Sequence, residues 1–93
     1  MISAEVLRDA EQRRLAWRCR RGMLELDIVL QRFVKEKFNA LSLNELEVFD
    51  GLLELPDNEL WELIRSNKQH DDKALNIVVA KLNAASLLVL KDF

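Results

Sequence analysis

Between Leu75 and Ala85 the apolar residues Leu75, Val78, Val79, Leu82 and Ala85 recur at three- and four-residue steps, the spacing that lines one face of an α-helix. A wider apolar arc lies upstream. Met23, Leu26, Leu30, Phe33, Val34 and Phe38, broadened by Ile28 and Val29, predict a helix from Met23 to Phe38 covered on several sides, as the central member of a bundle is. Between these two, Ser42-Leu43-Asn44-Glu45 has the form of a capping box, in which hydroxyl and carboxylate each satisfy a free backbone N–H. A third helix should start there, carry Leu46, Phe49 and Leu53, and stop before Pro56, whose ring disfavours helical geometry at Leu55. Asp57 is a candidate N-cap for a fourth helix through Leu60, Trp61, Leu63 and Ile64, which the polar residues 66–70 close. Asp71 or Asp72 caps the last helix. The pattern is weakest at the start of the chain. There Ser3 is a plausible N-cap for a helix reaching Arg18 or Arg20, with Val6, Ala10 and Trp17 on its apolar side and Arg13 and Arg14 between them, so this helix is expected to fray. Leu87-Leu88-Val89-Leu90 reads as a hydrophobic tail after the last helix, packed over the bundle, with a small interaction patch as the alternative.

Composition supports the same picture. With two Gly and one Pro in 93 residues, few positions break a helix, and the fold class is all-α: a small single-domain bundle of about five helices over residues 1–93, with 1–7 and 87–93 as its flexible ends. A chain this short buries about 60–65% of its unfolded surface, which leaves little room for a deep substrate cavity and makes an enzyme the minority expectation. One cysteine, Cys19, excludes an intramolecular disulfide, and one histidine, His70, beside it argues against a structural zinc site. No metal or resident cofactor is expected. The apolar runs 77–80 and 87–90 are far shorter than the roughly 20 residues of a membrane span, and the first residues lack a basic leader followed by an apolar stretch. The expectation is a cytoplasmic monomer without membrane insertion.

The net charge of −2 conceals an asymmetry. Residues 1–38 hold nine Lys and Arg against six acids, whereas residues 39–93 hold five against ten. Five arginines fall between Arg13 and Arg21, with Trp17 and Cys19 interleaved and no acid between Glu11 and Glu25. Such a run reads first as a solvated face, next as a surface for an acidic protein partner, and last as a phosphate grip for nucleic acid, against which the acidic remainder stands.

Within the run, Arg21-Gly22-Met23-Leu24-Glu25 is the most interpretable group. Were it helical, Arg18, Arg21, Gly22 and Glu25 would share one stripe, and a glycine there would cost about 1 kcal/mol. Two compatible reasons can account for the glycine: it is the C′ residue that ends the first helix, with Glu25 in the first turn of the next, or it lets a partner's backbone or a flat ligand approach closely. Cys19 lacks a visible general base and reads as a packing cysteine, His70 as a surface histidine, and Trp61 as core. Trp17 stands between core and exposed.

The segment from Arg14 to Asp27, with Trp17, Cys19 and the embedded Arg-Gly-x-x-Glu, resembles the SdhE (YgfY) family of flavinylation and assembly factors for succinate dehydrogenase. Phe33, Phe38, the helix start at 41–45, Phe49 and the 57–64 segment agree in outline, so the likeness covers roughly residues 8–85. The resemblance implies a five-helix bundle that binds the flavoprotein subunit of succinate dehydrogenase, and in many bacteria that of fumarate reductase, and promotes covalent attachment of FAD to a histidine of that subunit. FAD would then belong to the client. Carried over, the family's Arg-Gly and Glu fall on Arg21, Gly22 and Glu25, with Arg18 and Trp17 beside them as partner-binding residues. Some family members are described as antitoxins, which gives the alternative implied function.

Overall fold

The computed structural model describes residues 3–66, 68 and 70–92, the last three by backbone alone. Five α-helices follow one another: α1 Ala4–Arg18, α2 Leu24–Lys37, α3 Leu43–Leu52, α4 Asp57–Ser66 and α5 Lys73–Asp92, with a 3₁₀ turn at Phe38–Ala40 after α2. No strand occurs among the described residues. The all-helical expectation holds.

Local chemistry fixes most boundaries. The Ser3 hydroxyl accepts from the Val6 N–H at 3.2 Å and starts α1. At α3 the capping box is complete: Ser42 Oγ accepts from the Glu45 N–H at 3.1 Å, and Glu45 Oε1 accepts from the Ser42 N–H at 2.9 Å. The other oxygen of Glu45 meets Lys81 Nζ of α5 at 3.0 Å, so this carboxylate caps one helix and ties it to another. The Ser42 N–H first, then Lys81, hold its carboxyl below the ordinary range. Of the two acids before α5, Asp72 is the cap, accepting from the N–H groups of Ala74 and Leu75. Asp57, by contrast, is not the N-cap of α4. The Pro56 carbonyl accepts the first helical bond, from the Leu60 N–H at 2.9 Å, which makes Asp57 the first helical residue and leaves its carboxylate for another partner.

The core is built on α2 and α5. α2 supplies Leu26, Val29, Leu30, Phe33 and Val34, all buried, and α5, packed across α2, α3 and α4, supplies Val78, Val79 and Leu82. Phe33 and Phe49 tilt against each other with ring centroids 5.2 Å apart. Leu60 and Ile64 close the far side. Residues 87–89 continue α5 and are not a separate tail: Val89 is buried, while Leu87 and Leu88 face outward.

α1 departs from its sequence reading. Val6 and Trp17 are exposed, as is Ala10, and the face turned inward is Gln12, Leu15, Ala16 and Cys19. These lie at i, i+3, i+4 and i+7, a correct helical stripe that Gln12 hides because its amide is polar. The Gln12 amide donates to the Val34 carbonyl at 3.2 Å, which places α1 antiparallel to α2. Only Leu15 and Cys19 of the described α1 region are fully buried, so apolar burial alone, worth about 1.5–3 kcal/mol per large side chain, attaches this helix weakly.

His70 also differs from its surface assignment. Its backbone N–H donates to Asn76 Oδ1 and its carbonyl accepts from Asn76 Nδ2, both at 2.6 Å. This pair of bonds draws the ring against the bundle, where Nε2 is buried without a hydrogen-bond partner among the described residues.

Candidate functional site

Five residues, 19 to 23, join α1 to α2, and the chain turns sharply within them. Cys19 ends α1, its N–H bonded to the carbonyls of Leu15 and Ala16. Gly22 follows two residues beyond the C′ position with φ +96°, a conformation that L side chains rarely adopt. The connection is therefore a break, and Gly22 makes the break without being the C′ residue. It also removes the single stripe expected of a continuous helix: Arg18 belongs to α1, Glu25 to α2, and Arg21 and Gly22 to the corner between them.

One acid fixes this corner from beneath. Asp27, in the first turns of α2, accepts from the Arg21 N–H through Oδ1 at 2.8 Å and from the Gly22 N–H through Oδ2 at 3.0 Å. A carboxylate receiving two backbone N–H groups near a helix N-terminus is held by charge-assisted bonds and by the helix dipole.

The guanidinium of Arg21 turns inward and reaches the α3–α4 turn. Nη1 donates to the Leu53 carbonyl at 2.6 Å, Nη2 to the Leu55 carbonyl, and Nε pairs with Asp57 Oδ1. Its side chain keeps 13% of its exposure, so Arg21 satisfies two loop carbonyls that no helix serves and one carboxylate at the start of α4. Arg18 works alongside it, with Nη1 on Asp50 and Nη2 on Glu54 Oε1 at 2.6 Å. Arg14 completes the row, pairing with Glu11 at 2.6 Å and Asp50 at 3.2 Å. The bond from Arg14 holds the Glu11 carboxyl below its usual value. Three of the five clustered arginines thus find their acids inside the chain.

What remains outward at the corner is a glycine, a carboxylate and two large apolar side chains. Gly22 and Glu25 are exposed, as is Leu24 beside them. A Cβ added at Gly22 would meet no atom within 4 Å, so open space lies over it. Glu25 has no ion-pair or hydrogen-bond partner among the described residues, although Asp27, two positions on, has two. Trp17 is 70% exposed, its ring stacked under the Arg20 guanidinium at 5.3 Å. Of the five residues singled out in the sequence, the structure therefore turns Trp17, Gly22 and Glu25 outward and engages Arg18 and Arg21 with α3 and α4.

Cys19, inside the corner, is wholly buried, and burial pushes its thiol up to about 12. Thiolate chemistry at neutral pH is thereby removed from the site. Among the described residues no group of His, Cys, Asp and Glu could hold a metal ion. Two roles at the corner escaped the sequence reading: that of Asp27, which was given none, and that of Asp57, which was read as an N-cap. A legible signal existed for the first, an acid five positions after a glycine at a helix start; the second needed the tertiary fold.

Comparison with known proteins adds an independent line. A family model described as the flavinator of succinate dehydrogenase matches residues 13–86. The FAD assembly factor SdhE of Coxiella burnetii is 39% identical over 74 residues, covering 80% of this chain and 90% of that protein. SdhE of Legionella pneumophila strain Lens is 43% identical over 68 residues, 73% of this chain and 86% of its own. SdhE of Vibrio cholerae is 39% identical over 79 residues, with 84% and 92% covered.

Proposed function

The chain belongs to the family of succinate dehydrogenase flavinators, and from that membership we propose that it binds the flavoprotein subunit of succinate dehydrogenase in the bacterial cytoplasm and promotes covalent attachment of FAD there. Fumarate reductase, where the cell has it, is a second client of the same kind. The FAD belongs to the client, and the bond forms between client and flavin, so the factor acts without catalysing the step itself. Its contribution is to hold the client in a geometry competent for reaction, which raises the rate by positioning.

The observation that carries this reading is the corner at Gly22. Its backbone is open to approach, the Glu25 carboxylate stands beside it without a partner among the described residues, and Asp27, Arg21 and Asp57 brace it from behind. A surface braced in this way binds without a large ordering cost. Glu25 contacts the client directly, Gly22 permits the approach, and Trp17 flanks the contact. Arg18 and Arg21 are positioning residues that reach the client through the shape of the corner.

In-gel flavin fluorescence of the dehydrogenase flavoprotein subunit tests the proposal. Cells lacking this gene should lose most of the covalent flavin signal, the wild-type gene should restore it, and Glu25→Ala should not restore it while leaving the melting temperature within a few degrees of wild type. Full flavin signal in the deletion strain would refute the function.

A further inference from the structure

A groove of about 540 Å³ runs between α1 and α2, lined by Arg13, Ala16 and Trp17 of α1, by Arg20 of the corner that follows, and by Arg32 and Lys35 among the residues of α2. Its charge is distinctive because of where the other arginines go. Arg14, Arg18 and Arg21 are matched by Glu11, Asp50, Glu54 and Asp57. Arg32 pairs with Glu36 at 3.1 Å. Arg13, Arg20 and Lys35 have no carboxylate partner among the described residues, and all three line this one groove. Of the cations in residues 1–38 that have no carboxylate partner among the described residues, Arg8 and Lys37 lie elsewhere, and the other three, Arg13, Arg20 and Lys35, are gathered around an indole that is 70% exposed.

An exposed tryptophan between unpaired cations suits a ligand that brings carboxylates and an apolar side chain together. We infer that this groove is a docking site for an acidic segment of a protein partner, with carboxylates on Arg13, Arg20 and Lys35 and an aliphatic or aromatic side chain against Trp17 and Ala16. Charge complementarity favours that occupant over a nucleic acid. A phosphate backbone would meet Glu36 in the groove and Asp9 at its continuation along α1, together with a chain of net charge −2, whereas a peptide can interleave its charges around those acids. The inference rests on the flavoprotein reading only for the partner's identity: the segment is then a second contact of the client, adjoining the one at Gly22 and Glu25. Steering by such charges acts on the association rate and is screened by salt.

A fluorescein-labelled twelve-residue peptide of alternating Glu, Asp and Leu is the probe, titrated against the full-length protein with anisotropy as readout and the Trp17 indole N–H followed by NMR. Binding should shift the Trp17 indole and leave that of Trp61 in place. Arg13→Glu with Lys35→Glu should weaken binding at least tenfold, as should Trp17→Ala, with circular dichroism unchanged; Arg13→Gln and Lys35→Gln serve if the double variant loses its helical spectrum. The same peptide with Gln and Asn in place of its acids should bind at least tenfold more weakly. Equal binding of the neutral peptide, no binding of the acidic one, or tighter binding of a twelve-nucleotide single-stranded DNA would each overturn the inference. Peptide binding without any flavin phenotype would keep the groove and discard the client, and the opposite result would do the reverse.

Discussion

The Nε of Arg21 pairs with Asp57, thirty-six residues further along the chain, and so joins the α1–α2 corner to the start of α4. The same guanidinium serves the carbonyls of Leu53 and Leu55, a set of three acceptors that a planar fork can reach and an ammonium cannot. Arg21→Lys should therefore lower stability by about 1–3 kcal/mol, read as a shift in the urea midpoint. Asp57→Ala should cost a similar amount, and the double variant should cost less than the sum of the singles. Strict additivity of the two would show that the pair is not coupled.

At Gly22 the cost of substitution lies in the backbone, since φ is +96° and a Cβ would touch nothing. Gly22→Ala should lose about 1 kcal/mol, and Gly22→Asn less, because asparagine tolerates positive φ better. A chemically synthesised chain with D-alanine at this position should keep wild-type stability. Should the D-alanine protein melt like the L-alanine one, conformational strain would not be the reason for this glycine.

Cys19 should be inert in the folded protein. Burial pushes its thiol up to about 12, so Ellman's reagent at pH 8 should fail to react until denaturant is added, and then react with one equivalent. Cys19→Ser, which sets a hydroxyl in an apolar site, should cost about 1–3 kcal/mol. Rapid labelling of the native protein would contradict the burial.

Glu45 should make part of the stability depend on pH. Its folded carboxyl lies below the ordinary value because the Ser42 N–H and Lys81 bind the charged form. A group whose folded value is lowered contributes fully above its unfolded value and loses that contribution as pH falls through the folded one. Chemical denaturation from pH 7 to pH 3 should show wild type losing stability below about pH 4.5, the ordinary carboxyl value, with a smaller loss in Glu45→Gln. Parallel curves for the two proteins would remove Glu45 as a source of the acid sensitivity.

The helices of the second half were legible because their signals are local. Ser42 and Glu45 lie three residues apart, Pro56 ends one helix beside the next, and the α5 pattern needs no partner to be read. α1 was misread in its facing, because Gln12 interrupts a stripe whose other members, Leu15, Ala16 and Cys19, are sound. The corner at Gly22 was legible as a break or a contact point, and of its outward residues Trp17, Gly22 and Glu25 were named whereas Leu24 was not. The work of Arg18 and Arg21 was not, since their partners Asp50, Glu54 and Asp57 lie in another part of the chain and only the fold brings them close. The opposed charges of the two parts of the sequence are, to that extent, an internal match.

The bracing of Gly22 from α3 and α4 bears on how this signature can be moved or inherited. Residues 14–27 contain every position of the family motif, yet a peptide of that segment, or the same stretch grafted onto another helical hairpin, lacks the carboxylate and carbonyls that shape it. The motif is not a transplantable unit. A recombination point between α2 and α3 that joined halves from divergent relatives would disturb it as surely as a substitution within it, even with each half intact.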